Sequence, residues 1–316
     1  MVGGALRSVG IAIVNWNSGV QLGRCLASLE AADWSTLSLS RVVVVDNAST
    51  DGSAGCVVAT TSLPMVLVAN SENRGFAVAC NQAAREIDAD ALLFLNPDTV
   101  VEPDTIGAAV ACMNGSTHAS IGIVGVQLVG DDGHVSRSCA RFPTAPQMVA
   151  RAVGLDHLLQ PYYRGYLMTE WDHAESRRVD HVIGAFYLVR ADLFRHLGGF
   201  DEAFFVYLED LDFSYRAKHA GAQSYYLATA RAYHKGGGSS DRIRSLRLFY
   251  ALRSRLQYAR KHFSAVAAAA VACSTLCIEP CVRVAAAAVG GAPTVIRETI
   301  AAYRLLWRSV WRSAWL

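Results

Sequence analysis

Eight cysteines occur among 316 residues, but no CxxC pair or disulfide-like spacing does, so the expected setting is a reducing cytoplasm. Cys273, Cys277 and Cys281 fall one helical turn apart. With no histidine beside them they read as small apolar residues on a packed helix face rather than a metal site. Charge is sparse at 18 % against 52 % hydrophobic residues, which excludes a largely disordered chain. A secretory signal is not expected, because the first apolar run in MVGGALRSVGIAIVNWNSG stops at Asn15 and Asn17 and reads as a strand. A confident membrane span is missing too: FSAVAAAAVACSTLCI (263–278) is short, alanine-rich and interrupted by Glu279, Pro280 and Arg283. There is no internal repeat. No glycine-rich, Lys/Arg-bearing phosphate loop follows the first strand in VNWNSGVQLGRC, which argues against a nucleotidyltransferase.

What is present first is a run of βα units. VGIAIVNW (9–16), RVVVVDN (41–47), PMVLVAN (64–70) and ALLFLNPD (91–98) are apolar strands ending in polar residues, separated by helical patterns through Leu22, Leu26 and Leu29 and over about 76–87. Such alternation predicts an α/β fold with a mostly parallel sheet, whose ligands sit beyond the carboxyl ends of the strands. Those ends carry Asn15, Asn17, Asp46, Asn47, Asn96 and Asp98. Further strands are expected at IGIVGVQLV (121–129) and VDHVIGAFYLVR (179–190), with a loop over 131–178 that is either mobile or acceptor-facing. NRGFAVACNQ (73–82) opens a helix on a turn, where Asn73, Arg74 and the Gly75 amide are placed to meet a nucleotide diphosphate.

Charge is distributed unevenly. Of 29 Lys+Arg and 27 Asp+Glu, 12 and 2 lie beyond Asp241, leaving an acidic body of net −8 and a basic tail of net +10. The tail ends with Trp307, Trp311 and Trp315 spaced by four beside Arg304, Arg308 and Arg312, a pattern suited to a helix lying in an anionic membrane surface. We expect peripheral association at the cytoplasmic side of the plasma membrane, not a crossing, and no nucleic acid.

FFVYLEDLDFSYRAKHAG (204–221) puts Glu209, Asp210 and Asp212 behind an apolar run and before a helix closed by Gly221. Packed carboxylates serve a cation, a proton transfer or a helix start. The apolar run is expected to form a wall that partly desolvates Asp210 and raises its pKa.

The ordered set VNWN, VDNASTDGS, NRGFA, FLNPD, GAFYLVR, GGFDEAFFVYLEDLDFSYR and AYHKGGGSS resembles the family 2 glycosyltransferases of GT-A fold over roughly residues 8–262, and is similar to their bacterial rhamnosyltransferase-like branch. The resemblance implies a catalytic domain over 1–241, with a donor half of about 8–100 and an acceptor half of about 101–241, before a helical basic region at 242–316. It implies that Asp98, the last position of a DxD motif, holds Mg²⁺ or Mn²⁺ across the donor diphosphate. Asn96 replaces the first Asp and stays outside the ligand set. By the same match, Asp46 contacts the base, Asp210 is the catalytic base with Glu209 its acidic neighbour, and His234 completes the metal or diphosphate site. The role of Asp212 is left open. The implied activity is inverting, metal-dependent transfer of a sugar from a nucleotide donor, with dTDP-L-rhamnose leading, to a polyprenyl-diphosphate-linked glycan in cell-envelope polysaccharide synthesis. The alternatives are GlcNAc, Gal or Glc from a UDP donor, or a noncatalytic membrane-surface protein that keeps the fold. KGGGSS (235–240) is expected as a linker or as a loop ordering over the donor phosphates.

Overall fold

The computed structural model describes residues 5–59, 62–115, 120–155, 165–236 and 244–312. The chain divides into two compact units. One comprises Met1–Phe142, Leu167–Glu202 and Glu209–Ser239; the other comprises Pro143–Tyr166, Ala203–Leu208 and Ser240–Leu316.

The first unit contains strands β1 (Ser8–Asn15), β2 (Ser38–Asp46), β3 (Met65–Ala69), β4 (Ala91–Leu95), β5 (Thr99–Val101), β6 (Ile121–Val129), β7 (Cys139–Ala140), β8 (Arg177–Val179), β9 (His181–Val182), β10 (Phe186–Arg190) and β11 (Gln223–His234). A nine-stranded sheet runs in the order β3-β2-β1-β4-β10-β6-β11-β5, with β8 paired to β11; β7 and β9 form a separate ribbon. Strands β3, β2, β1, β4, β6 and β11 share one direction, while β10, β5 and β8 run against them. The sheet is therefore mostly parallel.

The early strands read as continuous apolar runs because both faces of the sheet are covered. Ile11, Ile13, Val42, Val44, Leu93 and Leu95 point into one core, whereas Ala12, Val14, Val43, Val45, Leu92 and Phe94 point into the other. Helices Gln21–Glu30 and Thr105–Asn114 contribute to the first core, and helices Phe76–Arg85 and Glu209–His219 to the second.

The second unit is helical: Ala145–Ala152, Arg244–His262, Ala265–Cys273, a π turn at Ser274–Ile278, Glu279–Val289 and Pro293–Arg312. The first of these starts in a capping box between Thr144 and Gln147. Leu252, Leu256, Tyr303 and Leu306 form its buried centre. Helical structure continues through Glu279, Pro280 and Arg283, and Ala265–Val289 forms 25 helical residues, long and apolar enough to cross a membrane by length and composition alone. Buried Glu279 is neutralised by Arg255 and Arg283, and Pro280 lies in the first turn of its helix, where no backbone N–H is required.

At the heart of the first unit, Gly125 of β6 faces Val182 of β9. A Cβ added there would lie 2.6–2.9 Å from three Val182 side-chain carbons. Gly125→Ala should therefore destabilise the protein by about 1–3 kcal/mol, the usual cost of overpacking a filled core. Urea denaturation checks this; an unchanged midpoint would show that the contact yields freely.

Candidate active site

Strand register brings the polar ends together. Asn15 pairs with Asp46 across β1 and β2, and Ile13 pairs with Leu95 across β1 and β4, so the Asn96-Pro97-Asp98 turn leaves the sheet at the same edge. There Asn15, fully buried, donates through Nδ2 to Asp46 Oδ1 at 2.7 Å and to Ser53 Oγ at 2.9 Å. Asp46 Oδ2 accepts from the Ser49 amide at 3.1 Å. Asn17, at φ 50°, accepts from the Thr50 amide at 2.8 Å and ties the loops after β1 and β2 together. Asp46 is thus a buried brace of this corner, with both oxygens engaged. Asn47 Nδ2 donates to the Gly75 carbonyl at 3.1 Å, and Asn73 Oδ1 accepts from the Gly75 amide at 2.9 Å. Gly75 takes φ 88° ahead of helix Phe76–Arg85, and Arg74 beside it is exposed.

Asp98 and His234 meet because β5 pairs antiparallel with the end of β11, setting Thr99 opposite His234. His234 Nε2 stands 3.3 Å from Asp98 Oδ1, and each side chain is 13 % exposed. That separation is close to the roughly 3 Å between neighbouring ligands bonded at about 2.1 Å to one octahedral ion. Among the described residues no group of three His, Cys, Asp or Glu converges on a metal position, so these two side chains fit a divalent ion only as a partial set that a diphosphate must complete. Asn96 is fixed through its backbone, its amide donating to the Ala185 carbonyl at 3.0 Å. The glycine-rich loop at 237–240 lies outside the described residues.

The acidic cluster opens helix Glu209–His219, and each carboxylate has a different environment. Asp210 Oδ2 accepts from the Gly184 amide at 2.7 Å and Oδ1 from the Leu211 amide at 2.8 Å, while the side chain stays 16 % exposed. Gly184 is small for that reason, since a Cβ there would come 3.0 Å from the Asp210 carboxylate. Asp212 is fully buried and pairs with Arg216 Nε at 2.8 Å. Arg216 also donates to the carbonyls of Leu197 and Gly199 at 2.8 and 2.7 Å, so this pair locks the GGFDE turn and is structural. Glu209 is buried with Oε2 unpartnered, and burial followed by repulsion from Asp210 raises its pKa well above the ordinary value.

The apolar wall expected around Asp210 is placed differently. Phe205 stacks on Tyr250 at 4.6 Å, the Val206 carbonyl accepts from Ser254 Oγ at 2.8 Å, and Lys261 lies over Phe204 at 5.8 Å, all within the helical unit. Aromatic stacking there outweighs proximity in sequence. Tyr207 and Leu208 then take φ 71° and 67°, a pair of left-handed residues that turns the chain into the acidic helix.

Sequence reasoning missed several residues of this site. Asn81 clamps Phe200 from both sides, accepting from its amide at 3.0 Å and donating to its carbonyl at 2.8 Å. Gly199 beside it has φ 79° and would carry a Cβ only 2.6 Å from Asn81 Oδ1. His181, Tyr187 and Ser214 sit behind Asp210, in positions that look like plain strand and helix interior. Only the strand pairing discloses them.

The family described as glycosyltransferase like family 2 matches residues 7–259. A Mycobacterium tuberculosis N-acetylglucosaminyl-diphospho-decaprenol L-rhamnosyltransferase is 30 % identical over 251 residues, covering 73 % of this chain and 77 % of that protein. The Escherichia coli rhamnosyltransferase WbbL is 28 % identical over 192 residues, covering 60 % and 69 % respectively. In fold, the chain is similar to the mannosyltransferase PcManGT of Pyrobaculum calidifontis, solved with GDP-Man and Mn²⁺, with a TM-score of 0.58, 18 % identity and coverage of 97 % of this chain and 88 % of that one.

The environment of Glu209 makes a pH prediction. Its carboxyl is raised in the folded protein, so the stability it permits is present below the ordinary value of 4.5 and lost as pH rises toward the raised one. Wild type should match Glu209→Gln at about pH 4 and fall progressively below it as pH rises above the ordinary value, as measured by urea denaturation. A gap that is the same at every pH would mean that Glu209 does not titrate on unfolding.

Proposed function

The chain belongs to glycosyltransferase family 2, and we propose that it is an inverting, metal-dependent enzyme that moves L-rhamnose from dTDP-L-rhamnose to a polyprenyl-diphosphate-linked glycan. Its activity as a nucleotide-sugar transferase follows from the family; donor, metal and acceptor are our reading. The observation that carries the reading is the separation of two carboxylates at one sheet edge, Asp98 paired with His234 and Asp210 held by the Gly184 and Leu211 amides. The names of the Mycobacterium tuberculosis and Escherichia coli relatives support the rhamnosyl donor and, for the former, a diphosphate-linked lipid acceptor.

In this mechanism the braced corner around Asp46, Asn15, Asn17 and Asn47 receives the nucleoside, and exposed Arg74 lies at a helix start suited to phosphate oxygens, the Gly75 amide there being engaged by Asn73. Asp98 and His234 would hold Mg²⁺ or Mn²⁺, which supplies charge neutralisation to the leaving nucleoside diphosphate. Asn96 shapes the turn that presents Asp98. Asp210, partly exposed and acceptor-only when ionised, takes the proton of the acceptor hydroxyl as that oxygen attacks the anomeric carbon. One base and one displacement invert the anomeric configuration. Asp98→Asn should weaken metal-dependent donor binding, whereas Asp210→Asn should keep donor affinity and lower transfer about a hundredfold or more. Titrating both variants with donor and metal, then measuring transfer, checks this; transfer within a few-fold of wild type in Asp210→Asn would remove it as the base.

The region 242–316 is proposed to rest on the cytoplasmic face of an anionic membrane. Its support is charge, 12 Lys+Arg against 2 Asp+Glu, together with exposed apolar residues: Val266 at 81 %, Val289 at 92 % and Trp311 at 86 %. Trp307 is 41 % exposed and its indole N–H donates to the Leu276 carbonyl, so Trp311 is the freer anchor; Trp315 lies outside the described residues. Glu279 and Arg283 lie inside the apolar segment Ala265–Val289, which favours shallow insertion over crossing. Binding to vesicles rich in phosphatidylglycerol should fall as salt rises, because charges are screened over about 10 Å at about 0.1 M. Trp311→Ala should lower binding at every salt concentration, since indole burial is not screened. Sedimentation with vesicles checks both; binding unaffected by either would place this face elsewhere.

A further inference from the structure

Behind Asp210 lies a buried polar chain that the transfer mechanism above does not use. His181 Nε2 faces Asp210 Oδ2 at 3.6 Å, and its Nδ1 lies 3.0 Å from Ser214 Oγ. Ser214 Oγ in turn lies 2.8 Å from Tyr187 Oη. His181 lies on β9, Tyr187 on β10, and Ser214 four residues after Asp210 on its helix. Tyr187 and His181 are 0 % and 4 % exposed, so no solvent competes for these bonds.

We propose that His181 is a positioning residue for Asp210, donating through Nε2–H to the carboxylate and holding it ionised and aimed at the acceptor hydroxyl. This rests on the assignment of Asp210 as base. The direction of the chain follows from donor arithmetic. Tyr187 has one proton and lies closer to Ser214 Oγ, at 2.8 Å, than to the Asp210 carbonyl, at 3.4 Å. Burial pushes the phenol well above its ordinary value, so it remains a donor at any working pH. If Tyr187 donates to Ser214, the Ser214 proton is free for His181 Nδ1, and the imidazole proton is left on Nε2, toward Asp210. Burial lowers the His181 pKa, against raising contributions from Asp210 and Asp180, which keeps a neutral donor rather than a buried imidazolium.

The charged and titratable surroundings are consistent with that arrangement. Asp180, in the bend between β8 and β9, is paired with Lys218 at 2.7 Å, Asp212 is paired with Arg216 at 2.8 Å, and Glu209 has a raised pKa. Cys80, from helix Phe76–Arg85, is buried with its thiol pushed well above the ordinary value. Asp210 is therefore the acceptor left for His181. The 3.6 Å separation is long for a hydrogen bond, as catalytic contacts often are before substrate closes the site.

The test is the pH profile of kcat for the full chain, using dTDP-L-rhamnose, or whichever UDP-sugar turns over in its place, and a short-chain diphosphate-linked N-acetylglucosamine acceptor. Removing a donor to the ionised base makes that base easier to protonate. In His181→Ala the acid limb of kcat should move up by about one pH unit, a loss of about tenfold on that limb, with the plateau and donor KM within a few-fold of wild type. His181→Gln, whose amide can donate from near the Nε2 position, should return the limb most of the way. Tyr187→Phe should shift it in the same direction as alanine by a smaller amount, because Ser214 is then free to reverse. An acid limb unmoved in His181→Ala, or an equal loss at all pH values that glutamine does not rescue, would make His181 a packing residue and overturn the proposal. Asp210→Asn, measured alongside, separates the two readings: if it retains transfer the base assignment has failed, and if it abolishes transfer while His181→Ala leaves the limb in place only the dyad has.

Discussion

Strand β10 runs against the direction of both its neighbours, and the candidate active site depends on that reversal. Parallel strands alone deliver polar residues at their carboxyl ends, which accounts for Asn15, Asp46 and Asp98. A reversed strand brings its amino end to the same edge. Here that end supplies the Ala185 carbonyl to Asn96 and the Gly184 amide to Asp210, at 3.0 and 2.7 Å. The Asn96–Asp98 turn and the Asp210 carboxylate thus hang from adjacent residues of one segment. Their relative placement is set by hydrogen bonds to the backbone of that segment, one from a main-chain amide and one to a carboxylate.

The acidic helix start shows how one turn can hold three carboxylates without mutual disruption. Repulsion among them would be severe if all were ionised in the same surroundings. Instead, Asp212 is neutralised by Arg216, Glu209 has a raised pKa, and Asp210 accepts two amide hydrogen bonds. The first helical turn adds its own favourable dipole. The member of the trio that remains partly exposed, Asp210, is the one held by backbone amides. The two neighbours serve stability and local electrostatics.

Much of this was legible in the chain. The βα order, the polar strand ends and the helix at the acidic cluster follow from periodicity and turn residues, whereas the meeting of Asp98 with His234 was implied only by the family resemblance. What was not legible depends on contacts distant in sequence. Nothing local marks Asn81 as the partner of Phe200, 119 residues away, or His181 as the neighbour of Asp210 and Ser214. The FFVYL run misled for a related reason: adjacency to Asp210 suggested a wall around it, but Phe205 finds a better stacking partner in Tyr250. The role of Asp212 became clear only once Arg216 was seen to bridge it to the carbonyls of Leu197 and Gly199.

The helical unit poses the opposite problem, since its sequence signals point outward. Its buried centre is small, built around Leu252, Leu256, Tyr303 and Leu306, and its most buried charge, Glu279, is satisfied internally by two arginines. Val266, Val289 and Trp311 stay exposed outside that centre, in a region carrying 12 Lys+Arg against 2 Asp+Glu. Water disfavours so much apolar surface beside so much positive charge, while an anionic interface accommodates both, apolar groups below the headgroups and guanidiniums among them. A lipid-bound acceptor can leave the membrane only at the cost of its chain's burial, about 0.8 kcal/mol per methylene. On the proposed reading, an enzyme acting on such a substrate gains more by bringing its own surface to the bilayer than by extracting the lipid, and the basic, tryptophan-bearing composition of 242–316 is the support for that proposal.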